Sequence, residues 1–137
     1  MTELSTTNLP HTADALLAQA VRQGLDRLEA AQLILHALGR ATHDRAWLLA
    51  HGGEDLSQSQ IQTFAQYAQR RIQGEPVAYI VGTQGFYGLD LAVGPGVLVP
   101  RPDTETLVDW ALQCMDAAGT PRVRVADWGT GSGAIAL

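Results

Sequence analysis

The sequence predicts an α+β fragment: a small N-terminal helical bundle, a β-hairpin linker, then the first helix and strand of a doubly wound α/β domain. Three observations carry that prediction. Apolar residues recur at helical spacing from Thr12 to about Gly74, between polar caps and glycines. Two short β-prone runs, residues 83–87 and 89–93, flank Gly88. Val123, Val125 and Ala126 then lead into Asp127, Trp128, Gly129, Thr130, Gly131, Ser132 and Gly133, a strand running into a glycine turn and a helix start.

The first helix carries Ala13, Leu16, Leu17, Ala20 and Val21 on one face and stops near Gly24. Asp26 and Glu29 stand in capping-box spacing and open a second helix, which runs through Ala30, Leu33, Ile34, Ala37 and Leu38 to Gly39. A third follows Thr42, includes Trp47, Leu48 and Leu49, and ends at Gly52 and Gly53. Ser57 with Gln60 caps a fourth, longer helix whose inner face is Ile61, Phe64, Ala65, Ala68 and Ile72. Pro76 disfavours helical geometry at Glu75, and β-prone residues follow, so a boundary is expected there. After the hairpin, Gly94, Pro95 and Gly96 make a second turn and residues 97–99 a brief extended run. Pro100, Arg101 and Pro102 fix an extended approach to a helix capped by Asp103 and Thr104, which runs through Leu107, Val108, Ala111 and Leu112 to about Ala118. The expected division is 1–75 for the helical domain, 76–100 for the hairpin connector and 101–137 for the start of the α/β domain.

With 137 residues, 46% hydrophobic and 17% charged, the chain has the length and composition of one ordinary globular domain. No apolar run approaches the roughly 18 residues of a membrane span. Residues 1–11 lack a basic segment followed by an apolar stretch, so the default location is cytoplasmic. The formal charge of −5 argues against a protein that grips phosphate backbones, and a protein or small-molecule partner is favoured over nucleic acid. All nine basic residues are Arg, and the adjacent pair Arg70 and Arg71 reads as a solvated helix end. Cys114, the single cysteine, excludes an intrachain disulfide and a cysteine zinc cluster; its apolar helical surroundings predict a buried thiol. His11, His36, His43 and His51 are spread without carboxylate or cysteine partners at ligand spacing, so no metal site is expected. Trp47 and Trp110 on helical faces read as core.

Three glycines at alternate positions let a backbone turn sharply and approach a ligand, with the N–H groups of the following helix start aimed at it. Gly129, Gly131 and Gly133 also fit G-x-G-x-x-A with Ala134 in the last place, a dinucleotide-binding fingerprint. On spacing alone, a methyltransferase and a nicotinamide or flavin enzyme stand level, with a structural glycine turn behind them. Asp127 favours the first, because a carboxylate at a strand end suits the ammonium group of S-adenosylmethionine better than a pyrophosphate. Its alternative role is to cap its own loop. Arg101 faces either an anionic group or an ion pair with Asp103 or Glu105, and Phe86 and Tyr87 serve either packing or contact with a protein substrate.

The segments Glu75-Pro76-Val77-Ala78-Tyr79-Ile80-Val81-Gly82, Gly85-Phe86-Tyr87-Gly88-Leu89, Val97-Leu98-Val99-Pro100-Arg101-Pro102-Asp103-Thr104-Glu105 and Asp127 to Gly133 together resemble the release factor glutamine methyltransferases, the PrmC or HemK family. The resemblance covers roughly residues 70–137, and its most specific piece is the Pro-Arg-Pro-acid-Thr-Glu segment. It implies a class I, Rossmann-like methyltransferase that moves a methyl group from S-adenosylmethionine to the glutamine amide nitrogen in the Gly-Gly-Gln loop of class 1 peptide chain release factors. Gly129, Thr130, Gly131, Ser132 and Gly133 would cradle the cofactor, and the helical domain with its hairpin would help hold the release factor. Trp128 departs from the small or aliphatic residue usual before the first glycine.

The family's Asn-Pro-Pro-Tyr segment, which presents the target amide, does not occur in these residues, nor does the acidic residue that would bind the cofactor ribose. No catalytic residue is therefore assigned, and the chain alone is expected to be inactive. A single strand cannot complete a parallel sheet, so self-association or disorder of the last residues is also expected. The alternatives are a protein-binding module without chemistry, or another enzyme dependent on S-adenosylmethionine or a dinucleotide.

Overall fold

A computed structural model describes residues 10–137. The reading of residues 1–9 as lacking a leader lies outside the described residues. The described residues form six α-helices and one two-stranded antiparallel hairpin, and the chain divides into two units at the step from Val81 to Gly82.

The first unit contains α1 (Ala13–Arg22), α2 (Arg27–Ala37), α3 (Arg45–His51), α4 (Gln58–Ile72) and α5 (Val77–Val81). Each of the first four starts where a short polar side chain accepts an otherwise unpaired backbone N–H: Thr12 from Ala15, Asp26 from Leu28 and Glu29, Asp44 from Trp47, and Ser57 from Gln60. The capping box expected at α4 is complete, with the Gln60 side chain accepting from the Ser57 N–H at 2.9 Å. At α2 only half of the expected box forms. The Glu29 carboxylate turns away from its own helix and receives Arg71 Nε at 2.9 Å and Arg71 Nη2 at 3.1 Å, a two-pronged pair joining α2 to α4. Arg71 is thereby tied to another helix rather than left as a solvated helix end, and Arg70 makes the same kind of pair with Glu75 at 2.7 and 2.6 Å.

The core is the apolar stripe the spacing predicts. Ala13, Leu16, Leu17 and Ala20 of α1 meet Ala30, Leu33, Ile34 and Leu35 of α2, Leu48 of α3, Ile61, Phe64 and Ala68 of α4 and Ile80 of α5. Three residues expected with them are exposed instead: Val21 (39%) and Ile72 (51%) in the last turns of α1 and α4, and Leu49 (86%) in α3, where Leu48 is the buried residue. Trp47 is partly buried beside the core, with its indole stacked on the His51 ring at 4.7 Å and the Arg40 guanidinium 4.3 Å from its centroid. The α1 entry is tied to the α3–α4 connection by Leu56 N–H to the His11 carbonyl (2.7 Å) and Asp14 N–H to the Gly52 carbonyl (2.9 Å).

The stretch after Glu75 differs from expectation. Pro76 keeps Glu75 out of a helix, as anticipated, but it then opens α5 itself, since a fixed φ and a missing N–H are both tolerated at a helix start. The β-branched residues Val77, Ile80 and Val81 are thus helical, and Ile80 is buried in the helical core.

In the second unit β1 (Thr83–Phe86) pairs antiparallel with β2 (Leu89–Ala92), with Thr83 opposite Ala92 and Phe86 opposite Leu89. Tyr87 and Gly88 form the two-residue turn, both with positive φ (50° and 76°). A 3-10 turn, Pro102–Thr104, precedes α6 (Glu105–Ala117), and Thr104 stands at its N-cap without a side-chain cap bond. None of the α6 residues is buried. Cys114 and Trp110, expected in a core, are both exposed. The strand expected at Val123, Val125 and Ala126 is not formed: residues 122–127 carry no ladder, and Val125 is 66% exposed. A strand exists only through hydrogen bonds to a neighbour, and among the described residues none pairs with this segment.

Candidate functional site

The residues singled out for chemistry meet in the second unit. Gly129, Gly131 and Gly133 all have positive φ, at 75°, 55° and 78°, a geometry that side chains bearing a Cβ resist. The loop they form is braced from within. Thr130 Oγ1 donates to the Asp127 carbonyl (2.9 Å), the Gly133 N–H donates to the Thr130 carbonyl (2.8 Å), and the Ala134 N–H donates to Ser132 Oγ (3.3 Å). The helix start expected after Gly133 is a series of turns. Trp128 is 95% exposed, so the indole has no sheet to pack beneath among the described residues.

Gly129, Thr130, Gly131 and Ser132 line one side of a concave space of about 200 Å³. Gly133 shapes the turn without lining it. Opposite stand Phe86, Leu98, Val99, Pro100, Arg101 and Thr104, so the hairpin, the Pro-Arg-Pro segment and the glycine loop converge on one site. Neither Asp103 nor Glu105 pairs with Arg101 among the described residues; Glu105 is instead occupied by the Tyr87 backbone. Asp127 Oδ2 is shielded from solvent and accepts no hydrogen bond among the described residues. A buried, unpartnered carboxylate oxygen is costly and suits a donor brought by a ligand. The space itself thus offers a cation at Arg101, backbone turned to admit close approach, and an apolar wall, while Asp127 stands two residues before the first glycine of the loop without lining it.

One cluster of three residues was not foreseen. The Tyr87 N–H donates to Glu105 Oε1 (2.8 Å) and the Tyr87 hydroxyl to Asp109 Oδ1 (2.7 Å). The bond to the Asp109 carboxylate, with burial and negative charge behind it, raises the phenol above its ordinary value of 10.0. The only sequence signal for this was the four-residue spacing of Glu105 and Asp109, which puts both on one helical face.

A larger depression, about 370 Å³, lies within the helical unit among α1, α2 and α3. Leu17, Ala31 and Leu48 give it a buried apolar lining, Leu28 and Leu49 add exposed apolar surface at its mouth, and Asp14, Asp26, Arg27 and Arg45 add charges of both signs. No group of three or more His, Cys, Asp or Glu suited to a metal ion occurs among the described residues. His36 stacks on Tyr67 at 5.2 Å and His51 on Trp47. No helix among the described residues is long and apolar enough to cross a membrane.

Comparison with known proteins bears on both units. The family described as the PrmC N-terminal domain matches residues 9–82. The chain is 48% identical over 123 residues to a protein of Xylella fastidiosa (strain Temecula1) named release factor glutamine methyltransferase, covering 90% of this chain and 42% of that relative. A protein of the same name from Bordetella pertussis is 49% identical over 114 residues, covering 83% of the chain and 40% of the relative. A third, from Coxiella burnetii, is 45% identical over 107 residues, covering 78% and 37%. The chain spans about two fifths of the length of these curated relatives.

Proposed function

The chain belongs to the PrmC N-terminal domain family, and from that premise we propose that it forms the N-terminal part of a release factor glutamine methyltransferase. The reaction is transfer of a methyl group from S-adenosylmethionine to the side-chain amide nitrogen of the glutamine in the Gly-Gly-Gln loop of class 1 release factors. The observation that carries this reading is the unpartnered, buried Asp127 Oδ2 beside a loop of three left-handed glycines. That set fits a cofactor bearing an ammonium group and a carboxylate on a flat, partly apolar body, with Asp127 accepting from the first, Arg101 attracting the second and Phe86 and Leu98 flanking the body. Gly129, Thr130, Gly131, Ser132 and Gly133 are the cofactor-binding residues on this reading.

S-adenosylmethionine supplies an electrophilic methyl group on a sulfonium centre. An amide nitrogen is a weak nucleophile and needs acceptors that orient its hydrogens and hold it in line with that methyl group. None of the described residues is assigned that task. On this reading these residues bind and orient: the left-handed glycines let a cofactor approach the backbone closely, and Phe86, Leu98 and Val99 give the depression an apolar lining.

Residues 1–75 are assigned to substrate recognition, residues 76–100 to the connector and residues 101–137 to the opening of a class I, Rossmann-like domain. The exposed apolar side chains of α6, Leu107, Trp110 and Leu112, support that last assignment, since helices of such folds pack against a sheet. The same surface supports self-association of the isolated chain, measurable by sedimentation. The groove with Leu28 and Leu49 at its mouth favours a holding role for the helical unit toward the release factor.

The test is a chimera in which this chain replaces the matching residues of the Xylella fastidiosa relative. Incubated with labelled S-adenosylmethionine and a class 1 release factor, it should label the Gly-Gly-Gln glutamine, and Gly131→Val should abolish labelling. A folded chimera that transfers no label overturns the assignment.

A further inference from the structure

Tyr87 holds a backbone conformation that tyrosine disfavours. Its φ of 50° makes it the non-glycine residue with left-handed backbone among the described residues, at a turn position where Asn, Asp or Gly is the usual occupant. Such strain persists only where surrounding contacts over-determine it. Here the contacts are two hydrogen bonds to one face of α6, from the Tyr87 N–H to Glu105 Oε1 at 2.8 Å and from the hydroxyl to Asp109 Oδ1 at 2.7 Å. Glu105 and Asp109 stand one helical turn apart, so the residue grips the first turns of α6 with its backbone and its phenol together. The residue before it, Phe86, is 2% exposed and lines the depression that the glycine loop borders.

We infer that Tyr87 is a positioning residue: it latches the hairpin tip onto α6 and so fixes Phe86 as a wall of the glycine-loop depression. Both acceptors are carboxylates, so the latch uses charge-assisted hydrogen bonds, which are stronger than neutral ones. Its effect on cofactor binding rests on the function proposed above, whereas the latch itself does not.

Hydrogen exchange on the ligand-free chain tests the latch. Tyr87→Phe removes one hydrogen bond and keeps the ring, and it should speed exchange roughly three- to tenfold in residues 83–92 and 127–135, leaving α1, α2 and α4 unchanged. Asp109→Asn should give the same change, and the double variant no more than either single one, because both act on one bond. Tyr87→Gly separates the latch from a plain turn. A position chosen only for its backbone gains protection when glycine relieves the strain, while a latch loses it. Slower exchange in Tyr87→Gly, or unchanged exchange in Tyr87→Phe, overturns the inference. Calorimetry of the chimera with S-adenosylmethionine supplies the second readout: Tyr87→Phe should weaken binding by roughly threefold or more without lowering the melting temperature of the helical unit. A folded chimera that binds no cofactor sinks the proposed function and leaves the exchange data to decide the latch. A chimera that binds, with Tyr87→Phe equal in affinity, removes Phe86 positioning.

Discussion

In the helical unit Ala30, Leu33 and Leu35 are wholly shielded from solvent, whereas α6, with a comparable apolar stripe, leaves Trp110 62% exposed and buries none of its thirteen residues. Both stripes have the period of a helix, and both form one. The difference is what faces them. The stripes of α1 and α2 cover one another across a short connection, and those of α2 and α4 meet with only α3 and its loops between them in the chain. Sheet elements draw their partners from farther away, through pairings that local sequence does not supply. Periodicity therefore decides that a helix forms, and only a second apolar surface decides that it is buried.

Core deletion sharpens this contrast most. Leu33→Ala should cost about 2–5 kcal/mol in denaturant unfolding of the helical unit, through lost burial and the cavity left behind. Gly52→Ala comes next: its new methyl carbon would overlap the Asp14 carboxylate and lie 2.7 Å from the Leu48 carbonyl oxygen, which cannot swing aside, so a loss of about 1–3 kcal/mol is expected in the same measurement. Asp26→Ala, which removes the acceptor for two N–H groups at the start of α2, should cost about 1 kcal/mol.

The pair of Arg70 with Glu75 acts through pH. Arg70 holds the Glu75 carboxyl below its ordinary value of 4.5, so the folded chain binds that proton less readily than the unfolded one. The pair stabilises above that value, and its contribution fades as acid takes the pH down through and below it. Stability followed from about pH 6 to about pH 3 should fall less steeply in Glu75→Gln than in the parent, and added salt should narrow the gap. The smallest effect belongs to α6, where Leu107→Ala should change stability by no more than about 0.5 kcal/mol. A loss at Leu107 matching that at Leu33 would break the comparison.

The helical unit was legible in the sequence because its signals are local. Ser57 and Gln60, Asp26, and the stripe Ile61, Phe64, Ala65 and Ala68 act within one or two turns, and all appear in the fold as read. Glu29 misled because a partner 42 residues away outbid its own helix start for the carboxylate. Residues 77–81 misled because β-branched side chains were weighed above the helix-opening geometry of Pro76. At the candidate site the glycines announced their backbone geometry, yet the company they keep, Phe86 and Arg101 across the depression, depends on how the chain folds back. The buried strand expected before Asp127 is neither paired nor buried, because β-propensity creates no hydrogen-bond partner.

The stack of Arg40, Trp47 and His51 gives the chain a built-in optical probe. Of its three tryptophans, Trp110 and Trp128 already stand in water, so their fluorescence has little left to change on denaturation. Trp47 alone packs against a guanidinium and an imidazole at the edge of the helical core. Emission followed through a denaturant titration thus isolates the melting of one unit from the other without any added label.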